Sequence, residues 1–355
     1  MKEKISVRQI CFILIAYNAA TKLLLFPTSA ASAVGNALIF TALFNLVLQT
    51  VIIWSVSFLS SRTDKTFFEL LENTFGKVAA RIIIAFFALY FLVSAVIPMS
   101  EQQLLVYDSF YDTIPSLIVF LPFFVFSVYA GVKSYTNVGR CADMMLPVFA
   151  VCAASFLIMS VLEADFTNLL PVLTQPIKKV AGYSLSSLFR FSESAFLLMF
   201  MGHYKYKKGD SAKLTVSYAA GGLVVIAVMA TFYSLYGALT PTRSFAISNI
   251  SVFFPVIEFV GRIDLFLVYA FDLVALFATV LNVQLSVHCM ALAFNRNFRI
   301  LYSLCINAVL VVISFIFNNK YVLLQKTIGG WLWIPALLFA YFIPVLAWAL
   351  RRKNK

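Results

Sequence analysis

Apolar runs of about twenty residues recur along this chain from one end to the other, and that is the length an α-helix needs to cross the hydrocarbon core of a bilayer. Ten segments qualify or nearly qualify: 7–31, 37–59, 78–105, 114–130, 144–162, 180–201, 214–239, 265–292, 300–317 and 331–350. Their hydrophobicity is continuous rather than alternating, which selects helices over barrel strands. Hydrophobic residues make up 62% and charged residues 12% of the 355, with a mean hydropathy of +0.93. Such a chain lacks the polar groups to cover a water-soluble globule. The expected fold is an all-α polytopic membrane protein of about ten transmembrane helices, forming one domain over residues 1–355. No long Gly/Ser/Pro-rich or charged stretch separates two halves.

The formal net charge of +12 is explained by the bilayer without invoking nucleic acid. With the amino terminus inside, nineteen of the 27 Lys and Arg fall in segments on that side, six on the other and two, Lys22 and Arg190, within the membrane. Cytoplasmic loops retain basic residues, so both termini are expected in the cytoplasm. The basic start, with Lys2, Lys4 and Arg8, leads into an apolar helix without a small-residue cleavage pattern, so the first helix is expected to stay in the mature protein. Two shorter segments, 66–75 on the inside and 247–259 on the outside, are expected to lie along the membrane surface or dip into the protein. The outer one carries Pro255 and Glu258 among aromatic residues, a composition that suits either a gate or a plain connector.

Enzyme signatures are missing: the sequence has no glycine-rich phosphate loop, metal-ligand helix or nucleophile elbow. Cys11, Cys141, Cys152, Cys289 and Cys305 lack metal or disulfide spacing and read as small packing residues. His203 and His288 read as packing or interfacial residues near helix ends.

An ionisable group inside a spanning helix costs several kcal/mol unless paired or hydrated, so each one is a site candidate. The first span is interrupted by Tyr17, Asn18, Thr21 and Lys22, and the sixth by Arg190, Phe191, Ser192 and Glu193; Asp272 sits in the eighth. If the ten spans form two inverted repeats of five, the first and sixth are equivalent, and there broken helices build a midplane substrate site. Their half-helix ends would suit a zwitterion such as an amino acid. Arg190 and Glu193 equally have the i,i+3 spacing to neutralise each other, and Lys22 has Glu193 as its obvious partner on another helix. Asp272 and Asn282, ten residues apart, can share a helix face, lining a cavity or bonding a neighbouring helix. Glu101 lies near the outer end of its run, where a charge is cheaper to place.

Several segments resemble the spore germination permease family, the B subunit of nutrient germinant receptors, itself similar to amino-acid permeases of the APC superfamily. They are residues 5–9 (ISVRQ), 25–27 (LFP), 131–140 (GVKSYTNVGR), 168–172 (NLLPV), 191–193 (FSE), 261–265 (GRIDL) and 334–335 (IP), in order along nearly the whole chain. The resemblance implies a LeuT-like inverted-repeat fold with a nutrient pocket at broken helices 1 and 6, no cofactor, and a place in the spore inner membrane. It also implies two partners, a larger A subunit and a C-subunit lipoprotein. Relatives carry glycines at the first break, whereas this chain reads YNAATK over residues 17–22, and the family's Thr-Pro at the fourth helix is spread into residues 113–115 (TIP). Lys22 would thus intrude where a ligand's amino group is expected, pointing to a different nutrient or to a pocket filled by the protein's own lysine. The expected function is a nutrient-binding receptor subunit that triggers germination; the alternatives are a proton-coupled amino-acid transporter and a structural subunit without a ligand.

Overall fold

A computed structural model describes residues 5–110, 115–171, 173–251, 263–317 and 320–350. Regular structure among the described residues is entirely helical. The first span is made of α1 (Val7–Lys22) and α2 (Phe26–Val34). At the start of α1 the Ser6 side chain accepts from the Gln9 amide while the Gln9 side chain accepts from the Ser6 amide, satisfying two N–H groups that the first helical turn leaves free. Pro27 has no N–H for the Leu23 carbonyl, so the helix opens over residues 23–25 and restarts with the proline in its first turn. The break therefore follows the polar stretch 17–22 rather than falling within it.

α3 (Leu38–Ser60) returns across the membrane. α4 (Phe67–Phe75) is the short amphipathic helix expected over 66–75; Thr66 and Glu69 cap it reciprocally, and it buries Phe67, Leu70 and Leu71 against the bundle. α5 (Lys77–Phe110), α6 (Ser116–Gly131) and α7 (Tyr135–Glu163) complete the first five spans. Beyond α7, Asp165 accepts from the Thr167 hydroxyl at 2.7 Å and amide at 3.0 Å, bonds that hold its carboxyl below the usual carboxylate range.

The sixth span repeats the broken design, with α8 (Ile177–Ser186), a 3-10 turn over Leu188–Arg190, two non-helical residues and α9 (Glu193–Phe200). α10 (Asp210–Tyr236) follows, then α11 (Ala246–Ser251), α12 (Ile263–Phe294) and α13 (Arg299–Ile316). The last span joins α14 (Tyr321–Leu324), α15 (Trp333–Ala336) and α16 (Ile343–Leu350) through π-helical turns at Gln325–Gly329 and Leu337–Phe342, with a 46° bend between its two parts. Six helices among the described residues are singly long and apolar enough to cross a membrane. With the two broken spans, α6 and the bent last span, they make up the ten expected. α11 begins the outer segment expected over 247–259; its Pro255 and Glu258 lie outside the described residues.

Loops assigned to opposite sides of the bilayer gather at opposite ends of the bundle. At one end the Ile5 amide donates to the His203 carbonyl at 3.0 Å, and Arg8 and Gln9 reach Asp143 on α7 at 3.2 and 2.9 Å. Gly202 also lies there at φ +79°, so close to the chain that a Cβ would stand 2.6 Å from the Thr66 nitrogen, and only glycine fits. At the other end Asn36 donates to the Leu169 and Pro171 carbonyls, and Thr28 bonds the carbonyls of Arg243 and Ser244. Between the ends, α10 runs tight against α1: a Cβ on Gly221 would stand 3.1 Å from the Ile15 Cα. That close approach sets Tyr218 beside the first break.

Candidate functional site

The two breaks meet inside the bundle, and charge joins them. Lys22 ends α1 and Glu193 begins α9, so each charge sits at the helix terminus whose dipole favours it. Their side chains form a salt bridge with both groups sealed from solvent. The Lys22 ammonium also lies 4.6 Å from the centre of the Phe191 ring and 3.5 Å from the Thr21 hydroxyl. The second carboxylate oxygen of Glu193 accepts from Tyr218 at 3.1 Å, and Asn18 donates to the Tyr218 carbonyl at 3.1 Å. With its carboxamide oxygen turned toward α9, Gln49 accepts from the Glu193 and Ser194 amides at 3.0 and 2.7 Å, covering N–H groups a helix start leaves free.

A second buried pair lies alongside. Arg190 bonds Glu101 of α5 at 2.5 Å and donates its other terminal nitrogen to the Thr21 carbonyl at 3.0 Å, tying break six to break one. Tyr321 of the last span donates to the same Glu101 oxygen at 2.6 Å. The last span touches break six twice more: Tyr341 donates to the Phe191 carbonyl at 2.5 Å and Ser194 to the Ala340 carbonyl. Pro344, four residues after Ala340, has no N–H for that carbonyl, which leaves it free to accept from Ser194.

Tyr17, Thr21, Tyr90, Ser94, Arg190 and Ser192 supply the polar lining of a cavity at this junction, closed off by Pro98 and apolar side chains. Pro98 leaves the Ser94 carbonyl without its helical donor, a further polar group on this wall. The cavity measures about 20 Å³, room for one water-sized molecule. Arg190 is the one charged residue among the described residues of its lining, and it is paired with Glu101. The arrangement gathers buried polar and charged groups at two helix breaks.

Tyr17, Asn18, Thr21, Lys22, Arg190, Phe191, Ser192 and Glu193 therefore share one junction, and Lys22 and Glu193 are in direct contact. Tyr17 exchanges hydrogen bonds with Asn282 at 3.0 and 3.1 Å. Three readings need correction. Arg190 and Glu193 do not pair with each other, because the chain is unwound between them and the i,i+3 helical spacing is lost. Glu101 is not near a helix end: α5 continues to Phe110, which leaves its carboxylate fully buried as the partner of Arg190. Asp272 accepts from Gln102 of α5 at 2.9 Å and Asn282 bonds Tyr17 of α1, so each meets a neighbouring helix and the two do not line one cavity together. His203 and His288, in turn, both pack against Tyr135, edge-on and tilted, with ring centres 5.0 and 4.7 Å from it, as parts of one aromatic cluster. Sequence reasoning missed Tyr218, Gln49, Tyr90 and Tyr321; the signal for the first three was a polar or phenolic side chain inside an apolar run, while Tyr321 lies between two runs and gave none.

The model of the spore germination protein family matches residues 4–322. This chain belongs to that family. A search of curated proteins gives no match. Among solved structures the fold is that of LeuT-type transporters. MhsT, crystallised with L-phenylalanine, superposes with a TM-score of 0.58 at 11% identity, covering 96% of this chain and 97% of its own. A manganese transporter from Eremococcus coleocola, crystallised with an aromatic bis-isothiourea compound, gives 0.56 at 11% identity over 96% of this chain and 78% of its own. This spore germination protein is thus an integral membrane protein of permease type, not an enzyme, with two five-span inverted repeats whose first helices are the broken ones.

Proposed function

We propose that the chain is the B subunit of a nutrient germinant receptor in the spore inner membrane, with both termini in the cytoplasm. It binds a small nutrient, an amino acid being the leading class, at the junction of its broken helices. The observation that carries this reading is the meeting of the two breaks through Lys22–Glu193 and Arg190–Glu101 in a member of the spore germination protein family. Tyr17, Asn18, Thr21, Lys22, Arg190, Phe191, Ser192 and Glu193 form the site, joined by Tyr90 and Glu101. Asp272 is left out because Gln102 holds it elsewhere.

The cavity in this conformation is water-sized, so nutrient binding requires α1–α2 and α8–α9 to part. A ligand that favours the parted state shifts the population toward it, and the shift passes to an A subunit and a C-subunit lipoprotein. The basic end of the bundle is the cytoplasmic one by the positive-inside rule. The test is nutrient-triggered germination in spores carrying a deletion of this gene or Glu193→Gln, in a strain cleared of other receptors. Loss of response to one nutrient in the deletion, with a shifted dose dependence in Glu193→Gln, supports the reading; a normal response in the deletion sinks it.

A second reading, a proton-coupled amino-acid transporter, draws on the transporter fold and on a buried lysine–carboxylate pair able to pass a proton. Uptake of labelled amino acid into vesicles, driven by a pH gradient, separates it from a receptor that moves nothing.

A further inference from the structure

A groove on the membrane-facing side of the bundle lies apart from the nutrient site, walled by α6, α7 and α12. Its floor is buried and apolar, formed by Val138, Phe277, Val280 and Leu281, and its rim carries the exposed Tyr129 and Cys141. The groove has a volume of about 360 Å³, within the range of small-molecule sites. Its lining is uneven along its length. α12 contributes apolar residues from mid-membrane, whereas the turn from α6 to α7 contributes Lys133, and the start of α7 Asn137, at the basic end of the bundle.

Lys133 is held in place there. Its ammonium lies 3.9 Å from the centre of the Tyr129 ring, and its carbonyl accepts from Gln284 of α12. Two residues earlier, Gly131 packs so closely on α13 that a Cβ would stand 2.7 Å from the Ser303 hydroxyl, which fixes the turn. A positioned cation at the membrane interface, continuous with an apolar slot running toward the bilayer centre, complements one kind of occupant: an anionic head attached to an acyl chain. From this geometry we infer that the groove is a selective site for an anionic phospholipid, with the phosphate on Lys133 and one chain along Val138, Phe277 and Val280. The bound chain also lies against Leu281, next to the Asn282 that holds Tyr17, and so braces α12 beside the nutrient site.

Native mass spectrometry of the purified full-length chain tests this, with phosphatidylglycerol and phosphatidylcholine offered at equal concentration. Wild type is expected to retain phosphatidylglycerol about fivefold over phosphatidylcholine, the size of one lysine's attraction to an anionic lipid surface. Lys133→Gln should bring the two to parity and Lys133→Arg should restore the preference. Cys141→Trp, which fills the slot from its exposed rim, should lower retention of both. Equal retention by wild type means an ordinary annular surface and overturns the proposal, as does an undiminished preference in Lys133→Gln. Unchanged retention in Cys141→Trp places the lipid elsewhere and overturns it too, and so does exclusion of lipid from the groove by a partner subunit's helix cross-linked through Cys141 in the assembled receptor.

Discussion

The ammonium of Lys22 and the carboxylate of Glu193 are bonded to each other with no solvent access, one at the last turn of a helix and the other at the first residue of a helix 171 positions away in sequence. Removing either partner strands the other as an uncompensated buried charge, at a cost of about 3–5 kcal/mol. Thermal unfolding of the purified chain should show Lys22→Met and Glu193→Leu each strongly destabilised and the double variant losing much less than the sum of the two losses. Additive losses would mean the two charges do not depend on each other.

Tyr341 tests whether the last span holds break six open. Its hydroxyl is positioned on the Phe191 carbonyl, a group that no helix bond serves. Tyr341→Phe leaves that carbonyl unsatisfied at about 1–3 kcal/mol. The expected outcome is a lower melting temperature together with a shifted nutrient dose response; a variant indistinguishable from wild type in both would remove the last span from the site.

Two helical glycines make opposite predictions for the same substitution. Gly221→Ala places a methyl 3.1 Å from the Ile15 Cα, which backbone cannot easily yield, and should cost about 1–3 kcal/mol as α10 is pushed from α1. Gly182→Ala meets nothing within 4 Å and should be neutral or stabilising by up to about 1 kcal/mol through helix propensity. Melting temperatures of the two variants, measured side by side, decide it; equal effects would contradict the packing.

Asp272→Asn should leave the nutrient response nearly intact, because its partner is Gln102 and not the cavity. Dose–response curves comparing it with Glu193→Gln are the check. A response lost in Asp272→Asn but kept in Glu193→Gln would move the site to α12.

Ser6→Ala removes half of a reciprocal cap and should cost about 1 kcal/mol in melting experiments. Gln9→Ala should cost more, since Gln9 also bonds Asp143 at 2.9 Å across the basic end of the bundle.

The sequence by itself determined the solvent, the ten spans, the charge bias between the bundle's two ends and the positions of the polar interruptions. Each of these follows from local chemistry: apolar length sets a span, and Pro27 removes an N–H that the first helix would need to continue past Lys22. The capping boxes at Ser6 and Thr66 were written in the same local terms, although they came into view only with the fold. Which charge meets which was decided by tertiary structure. The six residues 187–192 carry neither glycine nor proline, so nothing local unwinds the sixth span. It stays unwound because Tyr341 and Gln49, from two other spans, take up backbone groups that unwinding frees, while Glu101 from a third holds the Arg190 side chain. Helical spacing ceases to apply across such a break, which is why Arg190 turns to Glu101 and Glu193 to Lys22.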